Sequence, residues 1–174
     1  IAITDECSYS GLVKAHVAAK QCGIKLIVGA EFFVDITHGE EKNSVENIIM
    51  LAPTRQAYGQ LSAFISKIRR KNQKGNSYLC YEDCQIGLSD CLILWSPELQ
   101  DIDIQVSVGH KLKTIFQHFW ITLELFQDGF DIDKTAQALT LSSRLNLRLV
   151  ASNNVHTHVP ERQPLQDILT SIRY

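Results

Sequence analysis

Short, nearly unbroken apolar runs, spaced apart by stretches of helical periodicity, constrain the fold of this 174-residue chain more than any other feature. Leu26-Ile27-Val28, Cys91 to Trp95, Trp120 to Leu125 and Leu147 to Ala151 are too short for helices. They read as strands, and Leu26-Ile27-Val28 in particular is a continuous run of the type buried on both faces of a parallel sheet. Between them lie amphipathic segments. Thr54 caps a helix with Tyr58, Leu61, Ile65 and Ile68 on one face, and Asp131 caps another whose buried stripe is Ile132, Ala136, Leu139 and Leu145. Strands joined by helices, with right-handed crossovers, imply an α/β layered or barrel architecture.

The remaining elements follow the same logic. Ile1 to Cys7 reads as a first strand ending in the carboxylate pair Asp5-Glu6. Ser10 then caps a helix to Cys22 with Leu12, Val13, His16, Val17 and Ala19 toward the sheet, and Gly23 stops it. Lys25–Gly29 and Glu31–Ile36 read as two strands in close succession, Thr37–Asn43 as a polar turn, and Asn47–Leu51 as the returning strand of a hairpin-like excursion. Lys71–Ser77 is a loop, a weakly patterned helix spans about Gly109–Phe119, and a last helix from near Pro164 has Leu165, Ile168, Leu169 and Ile172 as its core face.

Composition removes several classes of function. A chain that is 45% hydrophobic and 21% charged is one globular domain. No apolar run reaches the roughly 18 residues of a membrane span, and no signal-peptide pattern opens the chain. Five cysteines (Cys7, Cys22, Cys80, Cys84, Cys91) lack the spacing of a disulfide framework, which points to free thiols in a reducing, cytoplasmic setting. A formal charge of -2 gives no global pull on nucleic acid. The cluster Lys67, Arg69, Arg70, Lys71 and Lys74 reads as a solvated helix end whose cations suit the C-terminal dipole. The sequence lacks a G-x-S-x-G elbow, a phosphate-binding P-loop, a G-x-G-x-x-G turn, an H-E-x-x-H helix and paired C-x-x-C motifs.

Chemistry concentrates at strand ends. Asp5 and Glu6 close the first strand, Glu31 follows the second, Glu124 sits in a later one, and Asn154, His156 and His158 alternate beyond Leu147–Ala151. Carboxylate oxygens with imidazole nitrogens suit Zn²⁺ or Mn²⁺, and paired metals of this kind activate water against a phosphoester. Each residue alone is a commonplace cap or surface charge; their gathering at one end of a sheet is what makes a site.

Five separated segments carry a family resemblance: Ile3-Thr4-Asp5-Glu6-Cys7-Ser8, Leu26 to Phe32, Tyr58-Gly59-Gln60-Leu61-Ser62, Trp120 to Leu125, and Val155-His156-Thr157-His158 through Leu165 to Arg173. Together they resemble the polymerase-and-histidinol-phosphatase (PHP) domain, and within it the PHP domain of bacterial C-family DNA polymerases of the error-prone branch. The resemblance implies a distorted seven-stranded β/α barrel, here lacking its first strand, cut from a longer protein at both ends. It also implies a divalent-metal site (Zn, Mn or Mg) at the strands' carboxyl ends, to which Asp5, Glu6, Glu31 and His156 correspond. Asn154 stands where the family has an Asp, and Glu6 where intact members have a His. The site so implied is degenerate, and the domain is expected to be structural, with no catalytic residue of its own. The implied partners are downstream polymerase domains of the same chain and, through them, DNA. An unpaired strand edge would let the fragment dimerise. A free-standing PHP-type metallophosphoesterase is the alternative.

Overall fold

The computed structural model describes residues 1–36, 45–85, 87–127 and 129–173. The elements run β1 (Ala2–Ile3), α1 (Leu12–Cys22), β2 (Ile27–Asp35), β3 (Val45–Ala52), α2 (Arg55–Lys71), β4 (Leu79–Cys80), β5 (Leu92–Ser96), α3 (Ile102–Ile115), β6 (Phe119–Leu123), α4 (Asp131–Leu145), β7 (Leu149–Ala151) and α5 (Gln163–Arg173). The sheet has seven strands in the order β1-β2-β3-β5-β6-β7, with β4 beside the end of β2. Only β3 runs against its neighbours; β1–β2, β2–β4, β5–β6 and β6–β7 are parallel. The sheet curls into a half-barrel, and among the described residues no strand joins β7 to β1.

Residue alternation sorts each strand onto two faces. On one face Phe32, Val34, Ile48, Met50, Ile93, Trp95 and Ile121 are buried against Ala57, Leu61, Phe64 and Ile68 of α2, Val108 and Leu112 of α3, and Leu141 and Leu145 of α4. Trp95 anchors this layer, its indole Nε1 donating to the buried Glu46 carboxylate at 2.8 Å. Gly109 lets α3 approach closely: a Cβ there would lie 2.3 Å from Leu145 Cδ1 and 3.0 Å from Trp95 Cζ3. The register puts Glu31, Phe33, Asn47, Ile49, Leu94, Ser96, Trp120, Thr122 and Val150 together on the other, uncovered face.

Several local expectations hold. Thr54 Oγ1 accepts from Ala57 N at 3.1 Å, Gly23 is the left-handed stop of α1, and β2 and β3 pair antiparallel. Lys25–Gly29 and Glu31–Ile36 prove to be one strand, because Ala30 continues the ladder without a break. The expected turn at Thr37–Asn43 lies outside the described residues. Ser10 does not cap α1: its hydroxyl pairs with Ser8 Oγ at 2.9 Å, and Gly11 takes the cap position. The α3 helix begins at Ile102, earlier than expected, because Asp101 caps it through Asp103 N and Ile104 N.

Two apolar faces meet no core. Val13 and Val17 of α1 are exposed, and so are Leu165, Ile168, Leu169 and Ile172 of α5. In chain order α1 follows the edge strand β1 and α5 follows the edge strand β7. In α4 the buried stripe is Ala138, Leu141 and Leu145, while Ile132 is 83% and Leu139 56% exposed. The helix carries two overlapping apolar stripes, and packing against α3, β6 and β7 buries the second. In α2, Leu61 and Ile68 are buried as expected, whereas Tyr58 lies outside the core and stacks on Tyr9 with ring centroids 5.2 Å apart.

Candidate functional site

Strands β1, β2, β5 and β6 run one way and β3 the other, so their carboxyl ends and the start of β3 lie on one side of the sheet, its carboxyl rim. Glu31, expected after a strand, sits in the middle of β2, and Glu124 falls just past the end of β6. Past Ile3 the β1 chain continues as a bridge pairing Glu6 with Glu31. Glu31 N donates to Asp5 O at 3.2 Å and Cys7 N to Glu31 O at 2.9 Å. That register sets Glu6 and Glu31 side by side on the uncovered face and leaves the exposed Asp5 one step out of phase. Gly29 is required where β1 and β3 crowd β2, since a Cβ would sit 2.7 Å from Leu51 Cδ2 and 2.9 Å from Thr4 Cγ2.

The turn after Glu6 is held from α2. Cys7 is buried with φ +44, a left-handed conformation that costs a non-glycine residue. Arg69 secures it, donating from Nε to Cys7 O and from Nη2 to Glu6 O, each at 3.1 Å. The basic cluster at the end of α2 is thus not simply solvated. Arg69 clamps this turn, and Lys67 and Lys71 both pair with the buried Asp83.

Glu31 and Glu6 are each held by a side-chain donor. Asn47 Nδ2 donates to Glu31 Oε1 at 2.7 Å, and Ser77 Oγ to Glu6 Oε1 at 2.6 Å. Burial pushes the Glu124 carboxyl above its ordinary range; bonds from Ser152 and Ser96 pull it down, and the charge of Glu31 adds to the rise. Beside this rim a cavity of about 400 Å³ opens between Phe33, Asn47, Thr122, Glu124, Phe126 and Lys134. A second groove of about 290 Å³ toward the amino ends is apolar, walled by Leu51, Leu92, Leu94, Trp120 and Val150.

Beyond β7 residues 152–157 form no regular element, and Asn154, His156 and His158 are exposed. Among the described residues no three His, Cys, Asp or Glu side chains converge as a metal would require. Asp5, Glu6, Glu31 and His156 are thus not gathered into one cluster among the described residues. Cys80, Cys84 and Cys91 are buried free thiols. Asn47, Ser77 and Arg69 were not singled out as site residues. The one sequence cue was Asn47, a polar residue in phase with Ile49 and Leu51 at the start of an apolar strand.

A half-barrel α/β sheet with carboxylates along the carboxyl rim is the architecture of a PHP-like domain, and comparison with known proteins agrees. The PHP domain family profile matches residues 1–128, so the chain belongs to the PHP domain family. An error-prone DNA polymerase from Methylococcus capsulatus is 41% identical over 175 residues, which cover 99% of this chain and 16% of that protein. One from Saccharophagus degradans is 39% identical over 173 residues, again 99% of this chain and 16% of the relative. The chain thus spans about a sixth of the length of these relatives. Among solved structures, an amidohydrolase from Chromobacterium violaceum with bound sulfate and no metal superposes with a TM-score of 0.65 at 14% identity, covering 91% of this chain and 77% of that one. A candidate metal-dependent phosphoesterase from Bifidobacterium adolescentis gives 0.53 at 10% identity, covering 97% and 84%. At such identities the structural matches speak for the fold alone.

Proposed function

We propose that this chain is the PHP module of an error-prone DNA polymerase, in which it supports neighbouring polymerase domains by packing and leaves nucleotide transfer to them. The observation that carries this reading is the match to error-prone polymerases along 99% of the chain while it accounts for 16% of theirs. In this reading the chain is a piece of a longer cytoplasmic polypeptide that meets DNA through its other domains, and its metal site is degenerate. The exposed apolar faces of α1 and α5 and the open edges of β1 and β7 supply the packing surface. In the isolated chain the same edges and exposed apolar faces favour self-association.

A free-standing metallophosphoesterase is the second reading, favoured by the fold shared with the phosphoesterase. It is the weaker one, because the relatives matched along 99% of the chain are error-prone DNA polymerases and His156 is exposed on an irregular segment. Primer extension by the full-length protein, beside hydrolysis of a chromogenic phosphate ester by the 174-residue chain under Mg²⁺, Mn²⁺ and Zn²⁺, separates the two. The expected result is extension by the full protein and background hydrolysis by the chain. Metal-dependent hydrolysis lost in His156→Ala would overturn the reading.

A further inference from the structure

Glu6 and Glu31, the two carboxylates the ladder places side by side, belong to different strands and are held by different donors. Asn47 is diagonal to Glu31 across the β2–β3 ladder, since Phe33 lies opposite Asn47 and Ile49 opposite Glu31. Its amide turns N–H toward Glu31, leaving the buried Asn47 Oδ1 without a hydrogen-bond partner. The orientation matters. An amide group turned the other way would set oxygen against carboxylate oxygen, whereas the N–H places a donor on a charged acceptor. Ser77, in the loop between α2 and β4, does the same for Glu6.

A hydrogen-bonded carboxylate can still ligate a metal, because outer partners commonly orient metal ligands. The decisive point is arrangement. Each carboxylate is tied to a separate element, Glu31 to β3 and Glu6 to the loop before β4, and no imidazole of the described residues stands among them. The Asn47 bond lies within the eight-residue β2–β3 ladder, whereas the Ser77 bond ties in a chain end that is paired less: the regular β1–β2 ladder is two residues long, and its continuation to Glu6 is a single bridge flanked by the Arg69 and Ser77 bonds.

We infer that in this chain donors from the protein itself, Asn47 on Glu31 and Ser77 on Glu6, have taken over the place of a cation, so that the rim is a set of polar cross-links whose integrity is independent of metal. The inference rests on the PHP placement and deepens the structural role proposed above.

Thermal unfolding of the chain in EDTA and in millimolar Zn²⁺ or Mn²⁺ tests it, with the variants Asn47→Ala, Ser77→Ala and Asn47→Asp. The wild type should melt within about 1 °C in all three buffers. Asn47→Ala and Ser77→Ala should each melt about 2–6 °C lower, with or without metal, as expected for loss of one charge-assisted bond in a domain of this size. Asn47→Asp removes the donor and adds a second carboxylate. It should lose stability in EDTA and regain it when metal is supplied, so metal protection appears in the variant alone. A wild type stabilised by metal as strongly as Asn47→Asp, or alanine variants that melt with the wild type, would overturn the inference. If an alanine variant fails to fold, the comparison of wild type with Asn47→Asp still decides. Primer extension by the full-length protein reports separately on the polymerase reading, which stands even if this inference falls.

Discussion

Replacing Asp83 by Asn tests the network that fixes the end of α2, and through it the Arg69 clamp on the rim. Asp83 is 8% exposed and accepts from Lys71 Nζ, from Cys80 N at 3.2 Å and from the Cys80 thiol at 3.1 Å, with Lys67 Nζ 3.7 Å away. Burial alone would raise its pKa, but the Lys71 and Cys80 bonds outweigh burial and bring it from 3.8 down to about 2. The Lys71 pKa is raised, chiefly by its bond to Asp83, so the two partners agree in direction. A group depressed in the folded state contributes stability above its unfolded pKa and loses it as pH falls toward the folded value. At about 1.4 kcal/mol per unit the contribution is about 2 kcal/mol at neutral pH, trimmed toward 1 because the Lys71 side chain is 39% exposed. Urea unfolding of wild type and Asp83→Asn should show this gap at pH 7, with about half of it gone by pH 3. A gap of equal size at both pH values would refute the argument, since the loss would then come from packing rather than from the charge.

Other outcomes follow from the packing. Gly109→Ala should lose about 1–3 kcal/mol of stability in chemical unfolding, because its Cβ would overlap Leu145 and press on Trp95. Arg69→Ala should cost about 1–3 kcal/mol by the same measurement, since it releases two carbonyls around the strained Cys7. In sedimentation the isolated chain should self-associate, and Ile168→Asp with Ile172→Asp should shift it toward monomer without lowering its melting temperature. The same pair should destabilise the full-length protein if α5 is packed there.

The order of strands and helices was legible because buried parallel strands and capped helices leave strong local patterns, as at Leu26-Ile27-Val28 and Thr54. Which face of a helix is buried was less legible. The α4 helix offers two stripes, and its packing against α3, β6 and β7 buries Ala138, Leu141 and Leu145 rather than Ile132 and Leu139. For α5 the amphipathic pattern is real, but nothing among the described residues covers it. At the site, sequence supplied the acidic residues and missed their donors. Hydrogen-bond partners such as Ser77 for Glu6, 71 residues apart, follow from register and loop placement, which periodicity does not encode.

The reversal of β3 also has a kinetic consequence. Because β3 turns back on β2, the two pair over eight residues close in sequence, from Val28 opposite Ala52 to Asp35 opposite Val45, and α2 follows at once. Such short-range contacts cost little loop entropy, whereas the parallel β5–β6 and β6–β7 pairings each wait for a whole helix to form between them. The hairpin with α2 is therefore the expected nucleus. Truncating Ile48 in it should slow folding, while truncating Val150 in β7 should leave the folding rate nearly unchanged and hasten unfolding.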